Sequence, residues 1–414
     1  MPPKPSPSRP PPSGPPPSGP PLSRPYGETE PFVLFRDDTT QTVTLFAAPL
    51  EIITARTRAE VIPALARMEA AKAAGHWLAG FMAYEAGYLF EDRLAPLTPD
   101  NRETPLLSFG VFAGPADAAH PLAAARRRRD NTPFLTAPRT AWDLTAYRDR
   151  FDRLHRHLRQ GDCYQANLTM PITARWNGDP LDAFWSLIER QPVRYGALVS
   201  LDGPTLLSRS PELFFKIAEG MIETHPMKGT APRGATGVED EAIVAAMLED
   251  GKTQAENRMI VDLLRNDISR ITEVGTLEVP RLFDIETYPT VHQMVSHISA
   301  ELSPGLGIAD IFRALFPCGS VTGAPKIRAM EILSELETGP RDAYCGAIGH
   351  IAPDGDMRFS VAIRTISLFD TGEAVFNVGG GIVYDSTAEA EYAECLLKAR
   401  FALGDETPAL GHAS

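Results

Sequence analysis

After a helical pattern at 144–160, strand-like runs follow at residues 196–201, 205–208, 212–217 and 221–224, and then a helical pattern at 252–270. The order then mixes. Helical stretches at 308–315 and 324–337 precede strand-like ones at 345–352, 357–368 and 374–378, and a last helix is expected at 387–403. Regular βαβ units would alternate strand and helix, and this chain does not. The succession therefore predicts an α+β fold with largely antiparallel sheets. Within it, Tyr147, Phe151, Leu154 and Leu158 recur at helical spacing over 144–160 and stop at Gly161. Met259, Ile260, Leu263, Leu264 and Ile268 make one apolar face of helix 252–270.

The first third has a different texture. Residues 1–25 hold 13 of the 38 prolines, interleaved with Ser and Gly. Such a stretch can form neither a helix nor a strand ladder, so it reads as a disordered or polyproline tail, with an SH3-type ligand as its functional alternative. Ordered structure is expected from Phe32, with a strand at Thr42–Phe46 and an alanine-rich helix over 57–75. Trp77–Leu89, broken by Gly80 and Gly87, suits a packed strand and turn. An N-terminal region (32–125) is thus separated from the main domain (142–403) by a linker candidate at 114–140, whose Arg126–Arg129 reads as a solvated connector.

Composition bounds the function. A chain of 414 residues that is 43% hydrophobic and 22% charged is expected to be a soluble globular protein with a substantial core. A net charge of -13 argues against general binding to nucleic acid or anionic membrane, though local basic groups or metal ions can still hold an anion. No run of 18 apolar residues and no apolar signal region is present, so neither a membrane span nor secretion is expected. Cys163, Cys318, Cys345 and Cys395 are widely spaced without zinc-ligand pattern, which points to buried thiols in a reducing, cytoplasmic compartment.

Several residues stand out chemically. Lys228 precedes Gly229-Thr230 at what reads as a strand end, where the backbone can approach a substrate closely; the plain alternative is a surface lysine beside a turn. Glu212 opens the apolar run 212–217, and facing Lys228 it would give a proton donor beside an amine nucleophile, or a structural salt bridge. On the last helix, marked by the capping-box pattern Ser386–Glu389, Glu391, Glu394 and Lys398 share one stripe. Two carboxylates one turn apart suit a hard cation, or else an exposed face with a Glu394–Lys398 pair. Glu256 borders an apolar helix face and needs a partner or a metal if buried. Asp262, Arg265 and Asp267 fit ion pairs or a cap. Gly379-Gly-Gly381 permits close backbone approach to an anion, in a glycine-rich turn that lacks the dinucleotide spacing. Ser320 and Gly323, in Gly319-Ser-Val-Thr-Gly323, offer a hydroxyl and an N–H group to a carboxylate. Arg364, in an apolar strand, calls for a carboxylate partner.

In this order and spacing the motifs resemble the chorismate-utilising enzymes. The resemblance rests on Gly161–Thr169, Ser210–Phe214, Ala255–Asp262, Gly323–Lys326, Gly379–Ile382 and Glu391–Glu394, and runs at least from Trp142 to Ala402. It implies two packed, largely antiparallel sheets with surrounding helices and a site holding one Mg²⁺ for the ring carboxylate of chorismate. Glu256 and Glu394 are implied as metal ligands, with Glu391 acting directly or through water. Glu212 is implied as the general acid. Arg364, Lys398 and the N–H groups near Gly380 and Gly381 are implied to hold substrate carboxylates, with Thr230, Ser320 and Gly323 in substrate contact. Lys228, in a Met-Lys-Gly-Thr segment, is similar to the aminodeoxychorismate synthase branch, and Gln293 and the missing Leu-Leu-Glu-Ser motif point away from anthranilate synthases. The implied activity joins chorismate and ammonia to give 4-amino-4-deoxychorismate. No glutaminase Cys-His-Glu signature is found, so a glutamine amidotransferase subunit is the implied ammonia source. An anthranilate-forming enzyme and a non-catalytic chorismate-binding subunit are the alternatives. His350 and Thr253 depart from the family pattern, where tyrosine and an acidic residue are common.

Overall fold

The computed structural model describes residues 30–100, 102–117, 120, 133–288 and 291–404, and the backbone of 411–412. The proline-rich tail and Arg126–Arg129 lie outside the described residues.

Two ten-stranded sheets pack face to face. The first runs, in spatial order, Thr42–Ala47, Phe32–Asp37, Tyr195–Ser200, Thr205–Ser210, Thr365–Leu368, Glu373–Ile382, Gln165–Trp176, Leu135–Thr140 and Gly411–His412, with Gly323–Ala324 also on Gln165–Trp176. The second runs Met227–Pro232, Val291–Glu301, Met221–Thr224, Leu213–Ala218, Met357–Val361, Ala347–Ile351, Trp77–Met82, Leu107–Phe112 and Glu51–Ala55, with Glu278–Thr287 also on Val291–Glu301. Among the described residues all pairings are antiparallel except that of Gly411–His412 with Leu135–Thr140. The α+β expectation with two largely antiparallel sheets is borne out. Strands from the N-terminal region sit in both sheets, so the two sequence regions share one sandwich.

Both faces of the central strands are buried, which is why their sequences read as apolar runs rather than as alternation. Along Tyr195–Ser200, Ala197 and Val199 point into the space between the sheets while Leu198 points to the helices outside. Phe81 of the second sheet fills the same intersheet layer, and Leu78 and Met82 face the other way. Full burial of a side chain such as Phe81 contributes roughly 1.5–3 kcal/mol. Outside the first sheet lie helices Leu144–Gln160, Pro180–Arg190, Lys326–Leu336 and Ala388–Leu403; outside the second lie Arg58–Ala73, Gly251–Ile268 and Ile308–Leu315. Helix Leu144–Gln160 starts where the Asp143 carboxylate accepts from the Ala146 N–H (2.7 Å) and ends at Gly161, which takes the left-handed conformation at φ +76°.

Three expectations need correction. The linker candidate 114–140 ends in a strand, Leu135–Thr140, laid along Gln165–Trp176. The stretch 357–368 is not one strand. Met357–Val361 belongs to the second sheet and Thr365–Leu368 to the first, and Arg364 between them adopts φ +52°. Its neighbour does the same, because Thr205–Ser210 lies in the first sheet and Leu213–Ala218 in the second. Hydrogen bonds tie the two crossings together: Arg209 N–H to Arg364 O (2.9 Å), Val361 N–H to Glu212 O (3.1 Å) and Ser210 hydroxyl to Val361 O (2.6 Å). Glycine 379–381 forms no turn either; it continues strand Glu373–Ile382, with Gly380 opposite Leu168 and Gly381 opposite Asn167.

Candidate active site

The paired crossings leave a seam, and Glu212 and Arg364 occupy it, one on each crossing segment. Glu212 precedes its strand rather than opening it. It is 5% exposed, and one oxygen accepts from the Ser320 hydroxyl at 2.6 Å. Burial pushes its carboxyl up to about 7, against the Ser320 hydrogen bond and the charges of Lys228 and Arg364. Arg364 is driven down to about 10 by burial, with Glu212 and then Tyr344 opposing. Among the described residues, no carboxylate or carbonyl accepts a hydrogen bond from its guanidinium. The strand that the sequence assigned to Arg364 is replaced by a bend, and the expected carboxylate partner is Glu212 acting by charge alone.

Lys228 lies on strand Met227–Pro232, and Gly229 follows it at φ +97° with Thr253 against its α-carbon. Only glycine takes that conformation and contact without strain. The Lys228 ammonium sits 3.2 Å from Glu256 on helix Gly251–Ile268, with 27% and 19% of the two side chains exposed. The salt-bridge alternative raised for Lys228 with Glu212 is met by a different carboxylate, since the resting ion pair is with Glu256. The Lys228 charge nevertheless reaches Glu212, so acid and amine share one electrostatic site.

The last helix delivers the other carboxylates. Thr387 caps it, accepting from the Ala390 N–H, and Ser386 turns its hydroxyl to Glu391 at 2.7 Å, so the capping box expected at Ser386–Glu389 does not form. Lys398 bridges Glu394 (2.7 Å) and the Gly379 carbonyl (2.8 Å). Burial raises the Glu391 carboxyl and the Glu394 charge adds to it; for Glu394 burial acts upward too, but Lys398, with Lys228 and Lys252, outweighs it and holds the group low. A β-carbon added at Gly380 would lie 2.8 Å from Glu391 Oε2 and 3.7 Å from Glu394 Oε1. At Gly381 it would meet Gln165 Nε2 at 2.9 Å and Lys228 Nζ at 3.3 Å. These glycines make room for charged side chains.

Mg²⁺ takes few protein carboxylates and completes its shell with water and substrate oxygens. Among the described residues, no three acidic, histidine or cysteine side chains converge to hold a metal alone. The cradle over Gly380 presents two carboxylate oxygens to one point, and Lys228 and Lys398 act as cations on Glu256 and Glu394. Two carboxylate oxygens of this kind are the ligands a hard cation such as Mg²⁺ takes, with water or substrate completing the shell.

The remaining candidates fall in different places. Thr230 is exposed and opposite the buried Gln293 on the neighbouring strand. Gly323 lies against the backbone of Gln165 and Ala166, where a β-carbon would come within 2.3 Å of the Gln165 carbonyl. Asp267 pairs with Lys326 at 2.6 Å, and Asp262 with Arg265 at 3.0 Å. His350 packs on Phe35, Phe46 and Trp77, in a cleft with Arg36, Arg194, Tyr195 and Arg358 that shares no residue with the charged cluster. Gln165 escaped the sequence reading as a site residue; among the described residues its buried Oε1 has no hydrogen-bond partner, and its amide nitrogen and the Lys228 ammonium both face Gly381.

The described chain matches the family of chorismate binding enzymes over residues 30–404. Aminodeoxychorismate synthase component 1 of Klebsiella aerogenes is 45% identical over 248 residues, which cover 60% of this chain but only 55% of that relative. Anthranilate synthase component 1 of Methanothermobacter marburgensis is 34% identical over 342 residues, covering 78% of this chain and 73% of that one. Among solved structures, anthranilate synthase component I from Streptococcus pneumoniae superposes with a TM-score of 0.74 at 27% identity, over 90% of this chain and 92% of that one. The chain spans little more than half the length of the Klebsiella relative. By the extent of the family match, the chain belongs to the chorismate binding enzymes.

Proposed function

We propose that this chain aminates chorismate, joining it with ammonia to give 4-amino-4-deoxychorismate, as its likeness to aminodeoxychorismate synthase component 1 suggests. The observation that carries this reading is the meeting of a buried acid, Glu212, with the Lys228 amine in one charged cluster. Arg364, lacking a hydrogen-bond acceptor among the described residues, and Lys398 bind the substrate's carboxylates. Glu212, held near 7, carries the proton that the C4 hydroxyl needs to leave as water. Lys228 leaves its ion pair with Glu256 and gives up its extra proton to water, and the neutral amine attacks C2, shifting the ring double bonds as the C4–O bond breaks. Ammonia then forms a bond at C4, the double bonds shift back, and the C2–N bond electrons return to the lysine. Glu256 and Glu394, with Glu391, would hold Mg²⁺, which would supply a positive charge for the ring carboxylate.

A glutamine amidotransferase subunit supplies the ammonia, and the reaction belongs to p-aminobenzoate and folate synthesis in the cytoplasm. Four free, buried cysteines suit that compartment, and no described helix is long and apolar enough to cross a membrane. The 34% identical relative keeps an anthranilate-forming reading in play, and Lys228 weighs against it. The test is product identification by mass spectrometry and chromatography after incubation with chorismate, Mg²⁺ and ammonium, with Lys228→Ala alongside. Aminodeoxychorismate from the wild type, lost in the variant, is the expected result. Anthranilate or isochorismate would overturn the reading.

A further inference from the structure

Ser320 sits on the short turn Gly319–Val321, and its hydroxyl makes two contacts inside the protein. It lies 2.6 Å from Glu212 Oε1 and 3.2 Å from the Cys318 sulfur. A hydroxyl has one proton to give. Cys318 is 2% exposed, and burial pushes its thiol up to about 12, so the sulfur keeps its proton at working pH. The thiol donates to the Ser320 oxygen, and Ser320 is left to donate to Glu212. Oε1 is then an acceptor, and the carboxyl proton must sit on Oε2. Among the described residues, nothing hydrogen-bonds Oε2. The other groups acting on this carboxyl, Lys228 and Arg364, are cations with no lone pair to accept a proton when charged. The proton has no protein acceptor and is available to a ligand.

We propose that Ser320, ordered by Cys318, is a positioning residue that fixes the Glu212 proton on the oxygen facing the reaction, and is not a contact to substrate. The inference rests on Glu212 as the general acid. It differs from the expectation that the Gly319–Gly323 segment binds a carboxylate, because the Ser320 hydroxyl is already committed within the protein.

The two roles separate in a pH profile. The Ser320 hydrogen bond lowers the Glu212 value, so Ser320→Ala lets it rise. The acid form then survives to higher pH, and the alkaline limb of the kcat profile moves up by about one pH unit. With the proton free to occupy either oxygen, kcat falls about tenfold while KM changes little. Ser320→Thr keeps a hydroxyl and restores both. A raised KM with an unmoved alkaline limb would overturn the inference. Glu212→Gln distinguishes this from failure of the general-acid reading: if that variant retains wild-type turnover, the acid assignment itself is wrong. Infrared difference spectroscopy of the resting protein decides the Ser320 point without turnover. The protonated Glu212 carbonyl band, identified by its loss in Glu212→Gln, should titrate at higher pH in Ser320→Ala, and an unchanged titration would contradict the inference.

Discussion

Arg341 is buried and Arg364 half-buried, and their surroundings differ in kind. Arg341 donates through all three guanidinium nitrogens, to Glu337, to the Val321 carbonyl and to the Asn167 carbonyl, and lies 4.4 Å over the Tyr84 ring. Glu337 also accepts from the Thr169 N–H and hydroxyl, and Glu85 accepts from the Arg341 and Asp342 N–H groups. That network joins the N-terminal region to the strand that flanks the three glycines. Arg364 has the Glu212 charge nearby and no such hydrogen bonds among the described residues. A buried ion costs free energy unless it is paired and hydrogen-bonded. The fully bonded arginine therefore holds the fold, and on the proposed reading the under-bonded one serves a ligand.

The largest expected effect is catalytic. Glu212→Gln should lower the turnover of chorismate by about 10²–10⁴-fold, read in a product assay, while the unfolding midpoint stays or rises. Turnover close to wild type would break the comparison on the seam side. Next comes the bonded region. Arg341→Met leaves Glu337 buried without its cation, and urea unfolding should show a loss of about 3–5 kcal/mol. A loss below about 1 kcal/mol would mean that the network is decoration.

The carboxyls give a pH test with a definite sign. Glu212 is held near 7, and burial raises Glu85 and Asp342 above the ordinary carboxyl range as well. The folded chain therefore keeps protons that the unfolded chain releases. Their contribution to stability is complete below the ordinary carboxyl values of 3.8 to 4.5 and is lost as pH rises through the raised ones, about 7 for Glu212 and about 8 for Glu85. Glu85→Gln, which cannot ionise, should flatten that decline in unfolding experiments run across the range. The smallest effect is expected away from both arginines. Thr387→Ala removes the cap of the last helix and should cost about 1 kcal/mol, measured by denaturant unfolding, with the Arg341 network untouched.

Local spacing made part of this legible. The stripe of Glu391, Glu394 and Lys398 follows from helical period alone, and Lys228 announced itself beside Gly229. The apolar run Phe359–Leu368 hid its most useful feature. Both faces of these strands are buried, so hydrophobic patterning carries no mark of where the chain leaves one sheet for the other, and Arg364 read as a strand residue. Glu85 and Arg341 went unnoticed because an acid in Ala83-Tyr-Glu-Ala86 and a base after Gly339-Pro340 look like ordinary turn residues. Their burial comes from partners more than 150 positions away. Sequence distance also hid the partner of Ser320, which was singled out only as a substrate contact and whose bond to Glu212 spans 108 positions.

The most direct test of the difference between the two arginines is Arg364→Met, measured twice: unfolding free energy in urea, and chorismate affinity by calorimetry in the presence of Mg²⁺. The account predicts stability that is unchanged or higher, since a poorly bonded, half-buried charge is removed, with affinity at least about tenfold weaker. A loss of several kcal/mol in stability with chorismate binding intact would contradict it, and would make Arg364 a second structural arginine.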